Sequence, residues 1–137
     1  AQGRGDDEEK AMVKGLDEMM RVQVESLRLR SYRQEILAAN LANADTPDFK
    51  AVDFDFGAAL REATAARRGA GPTPDAGAGQ APGPQLLFRN PSQVALDGNS
   101  VEADAERAQM ADNAVRYEAA LRVLTGQIKT MLSAIQG

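Results

Sequence analysis

Apolar side chains recur at helical spacing in two stretches of the chain, one near each end, and rarely between them. From residue 100 onward, Ala103, Met110, Ala114, Tyr117, Leu121, Leu124, Ile128, Met131 and Ile135 follow a 3-4 repeat, with Arg107 its one polar member. A repeat kept for so many heptads predicts a long helix with a coiled-coil seam over 100–137. Asp97-Gly98 supplies turn chemistry before it, and Asn99 or Ser100 can cap it. If Asn99 is the cap, Glu102 completes a capping box. Earlier, Val13, Leu16, Met20, Val24 and Leu27 form a stripe, which Leu29, Tyr32, Ile36 and Leu37 continue at a rotated angle. That pattern predicts a helix over 11–43 that meets more than one neighbour. At 1.5 Å per residue each helix would span roughly 50 Å. The expected fold class is mainly α: two long terminal amphipathic helices forming a coiled-coil-like pair, with a short irregular or β middle segment and a flexible linker.

The middle, 44–99, is broken by turns. Residues 69–84 are Gly, Pro, Ala and small polar residues without one large apolar side chain, so they are expected to be a disordered linker. Segments 52–56 and 85–89 read as short extended pieces, and 57–68 as a short helix. Residues 1–10 carry the run Asp6-Asp7-Glu8-Glu9 and are expected to be a disordered polar tail.

Composition narrows the function. Among 137 residues there is no Cys and no His, which removes thiolate sites, the commonest metal ligand and the commonest general base. No cofactor or small-molecule substrate is expected, and no enzyme. Asp53 and Asp55 share a strand face, yet no further ligands lie near them in sequence; they read as solvated carboxylates. The net charge is −4 and no Lys/Arg block stands out, so no nucleic-acid partner is expected. No apolar run approaches the ~20 residues that span a bilayer. The polar amino terminus is not a Sec signal.

The first helix ends in Ala39-Asn40-Leu41-Ala42-Asn43-Ala44-Asp45-Thr46-Pro47-Asp48-Phe49. Asn40 and Asn43 lie on neighbouring positions of one helix face and can bond to backbone groups freed where the helix stops. Pro47 enforces the break. This run resembles the signature of flagellar rod and hook proteins: Asn-hydrophobic-Ala-Asn, here Asn40, Leu41, Ala42 and Asn43, then a turn with Asp45, Thr46, Pro47 and the aromatic Phe49. Asp97-Gly98-Asn99, Asp112-Asn113, Tyr117-Glu118-Ala119 and Gln127-Ile128-Lys129 resemble the same family, its short proximal-rod members above all. The family's Gly-Tyr after Thr-Pro is Asp48-Phe49 here, which puts the exact turn in question.

The resemblance implies a structural subunit of the bacterial flagellar basal-body rod. It would polymerise through its terminal helices and transmit torque from the membrane ring to the distal rod. Leu16, Met20, Leu27, Tyr117, Leu121, Leu124, Ile128, Met131 and Ile135 would form the assembly seam. Implied partners are other rod subunits, the adaptor between membrane ring and rod, and the flagellar type III export apparatus. Implied location is the periplasmic rod of the basal body, reached without a Sec signal peptide. Phe56 and Leu60 match the Phe-x-x-x-hydrophobic form read by the export gate. From the residues alone one alternative stays open, a helical-hairpin adaptor that binds a partner helix.

Overall fold

The computed structural model describes residues 2–69, 84–89, 98–99 and 101–136. In order these give α1 (Gln2–Ala42), β1 (Val52–Asp53), α2 (Phe56–Gly69), β2 (Leu87–Phe88) and α3 (Ala103–Gln136). The linker predicted at 69–84 lies almost wholly outside the described residues, as does the turn residue Asp97.

α1 has 41 residues, about 60 Å, and does not start at residue 11. Residues 2–10, expected as a disordered tail, continue the helix. No proline precedes Pro47, and Asp6 lies four residues before Lys10, a spacing that supports a helix. α3 has 34 residues and begins at Ala103, later than predicted. The Glu106 N–H donates to Glu102 O at 2.9 Å, so Glu102 is the residue from which the first turn springs. Asn99 acts upstream of that point, accepting the Val101 N–H at 2.7 Å.

α1 and α3 lie side by side and antiparallel. Asn40 meets Glu106, Arg33 meets Gln109, and Arg30 meets Asn113, so the numbers fall along one helix as they rise along the other. The middle segment folds back on α1 near its carboxy end. β1 and β2 pair antiparallel, Val52 opposite Phe88 and Asp53 opposite Leu87. Asp55 caps α2: its Oδ1 accepts the Ala58 N–H at 3.1 Å.

The core sits at that corner. Leu29, Ile36, Phe54 and Ala59 are buried together, and Tyr32, Val52, Phe56 and Leu60 close around them. The Tyr32 and Phe54 rings stack with centroids 5.8 Å apart. Leu37 and Ala51 are fully buried beside it. The outer parts of both long helices are thinly covered: Met12, Val13, Met19, Leu121, Leu132 and Ile135 are exposed. No described helix is long and apolar enough to cross a membrane.

Burial therefore predicts an uneven response to truncation. Leu37→Ala empties a fully buried site and should cost about 2–5 kcal/mol in urea unfolding. Ile135→Ala, at a side chain 78% exposed, should cost about 0.5 kcal/mol or less.

Candidate functional site: the helix-exit junction

The end of α1 holds an asparagine with no freedom left. Asn40 is fully buried, and its carboxamide pairs with the backbone of Val52 in both directions. Nδ2 donates to Val52 O at 2.7 Å, and Oδ1 accepts the Val52 N–H at 3.1 Å. The side chain thus stands in for a strand partner on the side of β1 away from β2. Nδ2 also donates to Glu106 Oε2, at 3.4 Å, which ties the same atom to α3.

Asn43 builds the turn itself. Its Nδ2 donates to Ala39 O at 2.8 Å, and its Oδ1 accepts the Thr46 hydroxyl at 3.1 Å. Asn99 closes the turn from the far side of the chain. Its Nδ2 donates to Asn43 O at 2.9 Å and also to Thr46 O. Asn43 and Asn99 thereby satisfy carbonyls where α1 stops, with the Thr46 hydroxyl steadying Asn43; Asn40, expected to bond to groups freed there, bonds instead to Val52 and Glu106. Leu41 is half-buried, Phe49 likewise, and Ala42, Asp45, Thr46 and Pro47 are exposed. Asp48 adopts φ 60°, the left-handed region that the family's glycine suits, so the turn survives the substitution with an aspartate in it. Gly98 packs over Asp48 with φ 79°, and a Cβ there would collide with Asp48 Oδ1.

Beside the asparagines runs a chain of charges that connects four elements. Arg33 of α1 forks onto Asp53 of β1, Nε to Oδ1 at 3.1 Å and Nη2 to Oδ2 at 3.0 Å. Arg89, just after β2, donates to Asp53 Oδ2 at 2.5 Å and to Glu106 of α3. The Arg89 N–H extends the sheet onto Ala51 O at 2.9 Å. Asp53 is therefore not the solvated carboxylate expected: two guanidinium groups claim it, and only Asp55 is exposed. Among the described residues no group of three metal-ligating side chains gathers.

The two acids of this chain are tuned in opposite directions. Burial alone would push Asp53 up, but hydrogen bonds from Arg33, the Phe54 N–H and Arg89 outweigh it and hold its pKa below the ordinary value. Burial raises Glu106 above the ordinary value despite the attraction of Arg89 and the bond from Asn40. The bond to Asp53 in turn raises Arg33.

The predicted seam divides in two. Along α3 the covered stripe is Ala103, Glu106, Met110, Asn113, Ala120, Leu124, Gln127 and Met131. Leu124 and Met131 belong to it. Tyr117, Leu121, Ile128 and Ile135 are exposed on its flank. Leu16, Met20 and Leu27 of α1 are half-buried. The expected seam positions Arg107, Ala114, Leu121 and Ile128 each lie one residue beyond a covered one, Glu106, Asn113, Ala120 and Gln127. That expectation followed hydrophobicity, whereas the helix turns toward α1 the residues that bond there: Asn113 Nδ2 donates to Arg30 O at 2.8 Å and to Gln34 Oε1 at 2.9 Å. Phe56 and Leu60 pack on the core, and the Arg30 guanidinium lies 3.9 Å over the Phe56 ring. Arg33, Arg89, Glu106 and Asn113 were absent from the sequence-based site. For Glu106 and Asn113 the signal would have been a polar residue at an otherwise covered helical position; for Arg33 and Arg89 no local pattern supplies one.

Stability should carry the opposite tuning of the two acids. Glu106 binds its proton more tightly folded than unfolded, so its contribution is present below the ordinary pKa of 4.5 and lost as pH rises through the raised folded value. Asp53 contributes above its ordinary 3.8 and loses that as pH falls through its lowered value. Urea unfolding across pH should show Glu106→Gln gaining on the parent as pH rises from about 4 to 7, and Asp53→Asn losing on it from about 2 to 5.

The chain is similar to known proteins. The sequence profile described as flagella basal body rod protein matches residues 20–50, the stretch that holds Arg33, Asn40 and Asn43. Flagellar basal body rod protein FlgB of Yersinia enterocolitica is 44% identical over 135 residues, covering 91% of this chain and 98% of that protein. The protein of the same name in Salmonella typhimurium is 44% identical over 136 residues, covering 92% and 99%. That of Escherichia coli is 42% identical over 137 residues, covering 91% and 98%. The chain belongs to the flagellar basal body rod protein family.

Proposed function

We infer that the chain is a structural subunit of the flagellar basal-body rod, working in its proximal part and catalysing nothing. The observation that carries this is identity above 40% along nine-tenths of the chain to proteins named FlgB. The geometry supports it. The most ordered polar chemistry is spent on fixing a helix exit and a helix register, and Asp53 and Glu106 are held by arginines.

Assembly would use what one chain leaves uncovered. α1 and α3 form a coiled-coil-like pair whose apolar flank, Tyr117, Leu121, Ile128 and Ile135, would meet other rod subunits. Met12, Val13 and Met19 would do the same from α1. Helices about 50–60 Å long, gripped by neighbours, can transmit torque from the membrane ring toward the distal rod. Contact with an adaptor between membrane ring and rod, export through the flagellar type III apparatus and a periplasmic position all belong to this reading and rest on family membership. Phe56 and Leu60 would serve export only before folding, since in the folded chain both pack on the core.

Complementation tests the reading. Expressed in Salmonella typhimurium lacking its own FlgB, the chain should restore swimming in soft agar and be found in purified basal bodies. A chain that is expressed and exported but is absent from basal bodies would refute it.

A further inference from the structure

Every buried apolar side chain among the described residues lies between Leu29 and Ala59, on α1, β1 and α2 or on the chain that joins them. α3 adds none. Its two buried residues are Glu106 and Asn113, both polar. The apolar residues on its covered side, Met110 and Leu124 among them, are only half-buried.

Hydrogen bonds hold α3 beside the corner. Asn40 and Arg89 donate to Glu106, and Arg33 donates to Gln109. Asn113 donates to Arg30 O and Gln34 Oε1. When such contacts part, water takes up the freed donors and acceptors, so little is lost. When the corner parts, Leu29, Ile36 and Phe54 come out into water, which offers apolar surface no substitute. The contacts of α3 are thus of the kind that opens first.

The near end of α3 is tied down separately. Asn99, 3% exposed, donates to Asn43 O and Thr46 O in the exit turn, and its Oδ1 accepts the Val101 N–H. All three bonds run to residues outside α3. A helix lifted from α1 would therefore swing from a point just after Asn99, with the exit turn still closed.

We propose that α3 is a releasable strap: it lifts off α1 as a unit, hinged after Asn99, while the corner between Leu29 and Ala59 stays packed. Release bares the faces that α1 and α3 cover on each other and leaves the turn at Asn43 formed. The device belongs to the isolated chain, whatever that chain assembles with.

Native-state hydrogen exchange of the full chain, in a series of urea concentrations below the unfolding transition, tests this. Amides of 103–113 should exchange through an opening at least about tenfold more populated than the one that exposes amides of 29–40, and less dependent on urea because it bares less surface. Asn113→Ala cuts two bonds to α1 and leaves every residue of the corner in place. It should raise the opening of 103–113 about tenfold further and leave 29–40 unchanged. One opening constant and one urea dependence shared by both segments would overturn the strap, since α3 and the corner would then be a single cooperative unit. So would an Asn113→Ala effect of equal size on both segments, loss of folding included. No effect on either segment would overturn it as well, because α3 would not be held by these bonds. Each of these results leaves the rod reading as it stands.

Discussion

Asn40 is where the fold is decided. A buried carboxamide has two donors and one acceptor to satisfy, and here they go to the backbone of Val52 and to Glu106. Removing it would leave a buried N–H and a buried carbonyl at Val52 unmet, each costing about 1–3 kcal/mol. The middle segment therefore has one place where it can return against α1, and α3 one height at which it can pass. Everything else at the corner takes its position from that.

The charges extend the same constraint outward. Arg33, Asp53, Arg89 and Glu106 come from four separate elements, so each ion pair between them fixes one element against another. Such half-buried pairs contribute little net stability, because desolvation offsets their attraction. They contribute selectivity of register: a slide of one helical turn would strand a buried charge. An apolar seam alone would tolerate that slide, since one leucine replaces another at the next turn. A subunit that must present the same surface to every neighbour needs a fixed register more than it needs a large core.

Much of the fold was legible in the sequence, because period and turn chemistry are local. The two long helices, the short helix after Asp55 and the extended pieces at Val52 and Leu87 follow from spacing. Asn40 and Asn43 stood out because the run that holds them resembles the flagellar rod and hook signature. Two things were not legible. Asp53 looked solvated because its partner Arg89 is 36 residues away, and no local pattern reports a contact so distant. The face of α3 was misjudged by one position because Glu106 and Asn113 are polar, and hydropathy assigns polar residues to solvent. They are buried since each meets a bonding partner on α1, a fact that exists only after the helices are paired. The amino end was read as disordered from its charge, although no proline there breaks the helix.

The corner around Asn40 orders this chain, and the outer parts of the helices wait for neighbours. Hydrogen exchange mapped along the isolated chain tests that most directly. The slowest amides should lie between residues 25 and 60 and between 101 and 116, with fast exchange toward residue 2 and toward residue 136, where side chains are largely exposed. Equal protection along the whole of α1 and α3 would contradict it, showing a helix pair that is complete by itself and owes its order to the seam and not to the junction.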